Sequence, residues 1–371
     1  MYVTNQKISS RQTFRLFVFD LMGIATLLLP PYLSKLCGID GLLAIVVGTG
    51  LGFCYLFYLG WIMKKMQTDL VSYLKTNTNT LVQSLVFLWV LTHSVVTAGF
   101  CAYVFGNLMK YSLVKEVSVS TLLLVIIILA AYAVSGGIES RARVYEVMFW
   151  IILIPYATMM LASVKDFKPV YVDGFMDTFG MDFFKGVYLV FLFVTPLFFS
   201  LFLIREKEKS YEKNVIKTIS LSLAVSAVIL LGSYFLLVGN FGAKALSTMK
   251  YPVITMMSTV QFKGNFLKRM DALMLAVWFF TLYALLNLHL HYAVNMFGEL
   301  WQKCRQTTKS RVEKLTTIGV PSVLVFIVAY AISQYREFLW WFLDYYSYIA
   351  VPIMLLGPVG FSYIGRKKNE K

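Results

Sequence analysis

Residues 16–36 read LFVFDLMGIATLLLPPYLSKL. A helix needs ~20 apolar residues to cross the hydrocarbon core of a bilayer, and this run is long enough. It also carries features a plain membrane anchor lacks: an acid (Asp20), a glycine near its middle (Gly23) and a double proline (Pro30-Pro31). Proline removes a backbone donor and clashes with the preceding turn, so the run predicts two half-helices. A second apolar run, 183–204 (FFKGVYLVFLFVTPLFFSLFLI), carries the same kind of interruption at Thr195-Pro196. Non-helical backbone at membrane depth is tolerated only where protein or a cavity surrounds it. Two interrupted spans in corresponding positions of two halves therefore point to a transporter-type binding site.

The rest of the chain has room for a second half. It has 371 residues, 58% of them hydrophobic, and apolar runs at roughly 13–36, 41–63, 81–109, 119–136, 144–163, 183–204, 216–240, 270–300, 315–333 and 338–364. This predicts an all-α polytopic membrane protein of ten transmembrane helices, a single permease-like domain over 1–371. The ten divide into five plus five, with the first repeat at about 13–163 and the second at about 183–364. Each half begins with an interrupted helix, and because five is odd the second half is inverted, as in LeuT-like folds. The formal net charge of +15 lies in short connections between apolar spans. The positive-inside rule explains such charge better than nucleic-acid binding does. With the N-terminus inside, 22 of the 34 Lys and Arg residues fall on the cytoplasmic side, so both termini are expected there. The loop 241–269 is the exception, with five basic residues on the outer side; Tyr251 to Phe262 within it reads as a short apolar surface helix. No cleavable leader is expected, and the four scattered cysteines indicate neither a disulfide framework nor a metal site.

Helical rise of ~1.5 Å per residue brings Gly23–Thr26 and Phe193–Thr195 near the bilayer midplane. Unwound backbone there offers N–H groups suited to a carboxylate and carbonyls suited to an ammonium, and an amino-acid zwitterion uses both. The expected ligand-binding residues are Gly23, Ile24, Ala25 and Thr26 on one side and Phe193, Val194 and Thr195 on the other. Thr97 joins them from the third span, where His93, Thr97 and Cys101 share a face at four-residue spacing. Tyr283 and Asn287 join from the eighth. His289 and His291 are expected towards the cytosolic end, pointing apart and unsuited to a metal pair.

The expected gating or coupling residues are Asp20, Pro30, Pro196, Glu139, Arg143 and Glu146. An acid at a helix centre costs roughly 2.5–3.5 kcal/mol on insertion scales, so Asp20 should face the bundle or a water-filled vestibule. Proton coupling, an inner gate, or pairing with Arg15 or an inner-loop lysine would each account for it. Glu139, Arg141, Arg143 and Glu146 read as a compact inner loop in which Arg143 and Glu146 meet at i,i+3. Gly48-Thr49-Gly50-Leu51-Gly52 has no strand before it and reads as a helix-packing stripe, not a nucleotide loop. No enzyme motif or cofactor motif is found.

The run Gly136-Gly137-Ile138-Glu139-Ser140-Arg141-Ala142-Arg143-Val144-Tyr145-Glu146 resembles the G-I-E-x-x-A-R-x-x-E motif of spore germination B-subunits, the endospore germination permeases. Tyr251-Pro252 followed by Gly264-Asn265-Phe266-Leu267-Lys268-Arg269-Met270-Asp271-Ala272-Leu273 is similar to a second motif of that family. It departs at Lys268, where the family has Glu beside the Arg. Lys7-Ile8-Ser9-Ser10-Arg11-Gln12, with Gly23 and Leu29-Pro30, matches its N-terminal pattern. The resemblance covers essentially the whole chain. It implies the inverted-repeat fold of amino-acid/polyamine/organocation permeases and a place in the spore inner membrane. It further implies a small amino acid or related nutrient as ligand, with an A-type membrane subunit and a C-type lipoprotein of a germinant receptor as partners. An amino-acid secondary transporter, or an ion or water conduit of the germination machinery, are the alternatives on the same fold.

Overall fold

The computed structural model describes residues 8–112, 116–174, 180–203, 209–259, 270–304, 311–335, 342, 345–358 and 360. Lys7, the run Gly264–Arg269, residues 205–208 and 305–310 of the basic clusters, and the basic tail lie outside the described residues.

Ser9 starts the first helix, α1 (Ser10–Cys37). Its hydroxyl accepts from the Gln12 N–H at 3.3 Å, and the Gln12 side-chain oxygen accepts from the Ser9 N–H at 3.0 Å. This reciprocal capping box gives a physical reason for the Ser-Ser-Arg-Gln pattern. The helix ends at Gly38, whose positive φ of 54° returns its N–H to the Ser34 carbonyl. A 3₁₀ turn, Gly38–Asp40, leads directly into α2 (Gly41–Met66). Then follow α3 (Leu70–Asn77), α4 (Thr80–Ser112), α5 (Val119–Ser135) and α6 (Gly137–Ala162). The second half holds α7 (Met181–Leu192), a 3₁₀ segment (Thr195–Phe202), α8 (Lys209–Phe241), α9 (Ala243–Leu246) and α10 (Pro252–Thr259). It closes with α11 (Met270–Cys304), α12 (Arg311–Gln334) and a π-helical turn (Tyr346–Ala350) that runs on as helix to residue 358.

Among the described residues seven stretches are long and apolar enough to cross a membrane, and the first of them, Ser10–Met66, contains both α1 and α2. Val119–Ser135 and Tyr348–Pro358 are shorter apolar helices. Counted this way the described residues carry ten apolar helices, at the positions that hydropathy predicts, with α3, α9 and α10 as short accessories. The expected short apolar helix appears as α10, but its Val253, Met256 and Met257 are buried against the bundle and not on the surface, and residues 260–262 of the expected helix lie outside the described residues. Large apolar side chains such as Phe57, Trp61, Leu124, Ile128, Trp150 and Ile154 stand exposed on the periphery, where they suit lipid and not water.

α1 is the central element. It packs against α6, α7, α8 and α11, and from Leu16 to Leu27 it is buried throughout. α2 lies against α7 and the break that follows it through its glycines: a Cβ on Gly48 would stand 2.6 Å from Val190 of α7, and one on Gly52 would stand 2.7 Å from Val194 just beyond it. The stripe thus acts in packing, as its spacing predicts. Gly50 faces open space.

Two expectations change. The first is the break in α1, which is helical through both Pro30 and Pro31. The prolines deprive the Thr26 and Leu27 carbonyls of their usual i+4 donors, but their fixed φ is itself helical and the packed neighbours hold the axis. The second is the inner loop. Residues 137–146 form the first turns of α6, because Gly137 takes a positive φ of 73° that ends α5 and starts a new helix at once. Glu139 then sits in the first turn, where an acid is favoured.

Candidate functional site

The second interrupted span does break. Phe193 N–H donates to the Val190 carbonyl at 3.1 Å and Val194 N–H to the Phe191 carbonyl at 3.0 Å, both tighter than an α-turn. Pro196 has no N–H for the Leu192 carbonyl, and the Thr195 hydroxyl donates to it instead at 2.6 Å. Leu197 N–H reaches the Val194 carbonyl at 3.1 Å. The Phe193 carbonyl is thereby left without its local helical donor, because Pro196 and Leu197 are the two that would supply it. From here to Phe202 the chain is 3₁₀, a geometry rarely sustained over eight residues.

A cavity of about 330 Å³ opens beside this break. Its walls are Ile24, Leu28, Pro31 and Lys35 along one face of α1, and Thr97, Phe100, Cys101 and Val104 along one face of α4. Leu192, Phe193, Thr195 and Pro196 close it at the break, and Leu285 and His289 of α11 form its floor. Tyr32, Asn107, Lys250 and Tyr251 surround the end nearer Cys37. Among the described residues, two lysines and no carboxylate face the space. The Lys250 ammonium lies 5.5 Å from the Tyr251 ring centre. Burial pushes the Tyr251 phenol above its ordinary value, so it acts there as a neutral hydrogen-bonding group.

Ile24, Thr97, Phe193, Thr195 and Pro196 therefore come together. The other sequence candidates go elsewhere. Gly23 meets α11, and a Cβ there would lie 2.6 Å from the Thr281 Cβ. The Thr26 hydroxyl donates to the Met22 carbonyl at 3.0 Å and accepts from the Trp278 indole N–H at 3.4 Å. Ala25 and Pro30 are buried off the wall. Val194 covers Gly52. The Tyr283 hydroxyl donates to the Leu129 carbonyl of α5 at 3.1 Å, and Asn287 is buried outside the wall. His289 does not sit at a solvated end but in the cavity floor, while His291 bonds Asn295 at 3.0 Å.

The charged candidates also re-pair. Among the described residues Asp20 is bonded to neither Arg15 nor a lysine; its partner is Arg141, and both side chains are nearly inaccessible, at 2% and 4% exposure. The same guanidinium nitrogen donates to the Ala284 carbonyl at 3.3 Å, and the guanidinium lies 5.3 Å from the Tyr145 ring centre. Asp20 is on α1, Arg141 on the second turn of α6 and Ala284 on α11, so one buried charge pair joins three helices. Nearer the Ser10 end, Glu146 pairs not with Arg143 but with Arg11, and it accepts from the Gln12 amide at 2.9 Å. Arg15 donates to the Glu146 carbonyl at 2.8 Å. Arg143 meets Glu139 at 2.6 Å on the exposed side of α6. Sequence reasoning left Arg141 among the topological cations. A lone acid inside an apolar run was the signal that such a cation had to exist.

Comparison with known proteins adds the family. The family described as "Spore germination protein" matches residues 7–337. The chain belongs to this family. Spore germination protein A2 of Bacillus subtilis (strain 168) is 20% identical, over 99% of this chain and 98% of that protein. Spore germination protein B2 of the same organism is 22% identical over 75% of each. Among solved structures, a Na⁺-coupled sialic acid symporter in a substrate-bound, outward-open state superposes with a TM-score of 0.66. It covers 96% of this chain and 78% of the symporter, at 10% identity, and so speaks for the fold alone. This germination-family protein is thus a multi-pass, permease-like membrane protein with a LeuT-type transporter fold.

Proposed function

We propose that this chain is the membrane subunit of a nutrient-germinant receptor in the spore inner membrane, binding a small amino acid in the cavity beside the α7 break. The observation that carries the reading is the cavity itself: a largely apolar chamber of about 330 Å³ beside the interrupted α7, where the Phe193 carbonyl lacks its local helical donor, with basic residues at its mouth. That combination suits a molecule with a carboxylate, an ammonium and a short apolar body. With the Ser10 end of α1 cytoplasmic, Lys35 and Lys250 face the outer side, where nutrient arrives, and the Asp20–Arg141 pair closes the inner side. An A-type membrane subunit and a C-type lipoprotein complete the receptor on this reading.

Binding signals by favouring one arrangement of α1 against α6 and α11. The shift cannot exceed the ligand's difference in affinity for the two arrangements, and moving a 1:99 equilibrium to 99:1 takes about a 10⁴-fold difference. The second reading, amino-acid transport, has the symporter-like fold in its favour. Dipicolinate release from spores with and without this gene, across single amino acids, tests the first. Loss of response to one or a few amino acids with others intact supports sensing. Labelled uptake of the same amino acid into vesicles carrying this protein, with normal germination on every nutrient, would replace sensing by transport.

A further inference from the structure

The floor of the cavity holds a side chain whose hydrogen bonds are unspent. His289 is 1% exposed, lines the cavity, and has neither ring nitrogen bonded among the described residues. Its neighbours explain why. The Phe199 ring lies edge-on at 5.1 Å and the His93 ring at 5.8 Å, so aromatic surface encloses the imidazole on the protein side. The other polar groups at this depth are already committed. The Thr97 hydroxyl donates to the His93 carbonyl at 2.9 Å and the Thr195 hydroxyl to the Leu192 carbonyl at 2.6 Å. The Cys101 thiol is a weak donor at best. A buried polar group with no partner costs free energy that folding alone does not recover, so its retention facing a cavity calls for a ligand atom.

We propose that His289 is the ligand's polar anchor, donating a ring N–H to the carboxylate of a small amino acid whose apolar body packs on Ile24, Phe100 and Leu285. The carboxylate assignment follows from charge and from the donor inventory. Among the described residues the wall has no acid to repel an anion, two lysines stand at the mouth to attract one, and the imidazole is the strong donor left at the bottom. Lys35 and Lys250 lie nearer the Cys37 end of α1 and act in steering. This assignment rests on the cavity being the ligand site.

The test uses the full-length protein in lipid nanodiscs, titrated by calorimetry with the standard L-amino acids and with the methyl ester of each. An amino acid that binds the wild type should bind His289→Leu about ten- to a hundredfold more weakly, the usual range for a lost charge-assisted hydrogen bond. His289→Gln keeps an N–H donor and should recover part of the loss. The methyl ester should bind the wild type weakly and His289→Leu no worse than the free acid does. Equal binding of acid and ester to the wild type overturns the proposal, as does unaltered affinity in His289→Leu; both leave the sensing reading standing. Absence of any binding to the wild type overturns both. Should His289→Leu fail to fold, the acid–ester comparison on the wild type and the Gln variant decide.

Discussion

Replacing Asp20 by Asn leaves the Arg141 guanidinium buried with the Ala284 carbonyl and an aromatic face for company. Breaking a buried ion pair by removing one partner costs about 3–5 kcal/mol, because the remaining charge is stranded. If the pair forms only while α1, α6 and α11 are drawn together, that cost falls on the closed arrangement alone. At about 1.4 kcal/mol per factor of ten, even 3 kcal/mol changes the closed-to-open ratio more than a hundredfold. Asp20→Asn and Arg141→Leu should each lower the unfolding midpoint in nanodiscs and increase hydrogen exchange along the Ser10 half of α1. In spores each should move the nutrient dose–response to lower concentration. The charge-reversed double variant, Asp20→Arg with Arg141→Asp, should recover part of the stability that each reversal loses alone, giving a coupling well beyond the few tenths of a kcal/mol expected of independent sites. Additive losses across the cycle, with the dose–response unmoved at normal protein levels, would refute the latch.

Three further outcomes follow from the packing. Gly23→Ala should destabilise by about 1–3 kcal/mol because its Cβ has no room beside Thr281, and Thr281→Gly should relieve much of that in the double variant; thermal unfolding checks it. Gly48→Ala and Gly52→Ala should both lower the unfolding midpoint through Val190 and Val194, whereas Gly50→Ala, facing open space, should be neutral or stabilising by up to about 1 kcal/mol. Pro196→Ala restores an N–H for the Leu192 carbonyl and lets α7 run on, so the unfolding midpoint should hold or rise while most of the nutrient response is lost; a normal dose–response would separate the break from ligand sensing.

The sequence made the ten apolar helices legible because bilayer length and hydropathy act on each run separately. The break at Thr195-Pro196 was legible for the same reason: a missing N–H is a local fact. The double proline in α1 gives the same local signal and a different result, because α1 packs against four other helices and tertiary packing decides whether a helix survives two lost hydrogen bonds. Ile24, Thr97, Phe193, Thr195 and Pro196 were reachable from span and periodicity. Gly23 was not, because a glycine reads alike whether it admits a ligand or a neighbouring helix; only Thr281, across the interface, tells them apart. Arg141 was hidden for a different reason. Counting cations to orient a membrane protein treats every arginine near a span end as solvated, and Arg141 is not.

On the proposed reading, the parts found late are the ones that join the site to the switch. Leu285 and His289 face the cavity, and the carbonyl that Arg141 uses belongs to Ala284, the residue next to Leu285 on the same turn of α11. A rigid helix cannot move Leu285 without moving its neighbour. A ligand seated on His289 therefore acts on the third member of the Asp20–Arg141 cluster with no intervening loop. The break in α7 supplies the opposite wall and α1 runs past both sites, from Ile24 and Leu28 at the cavity to Asp20 at the charge pair. One α1 turn separates the ligand's apolar contact from the charge it must release, so the coupling needs a displacement of α1 against α11 and no larger rearrangement. The size of that coupling is bounded twice: by the ligand's differential affinity, and by the free energy the buried pair withholds from the open arrangement.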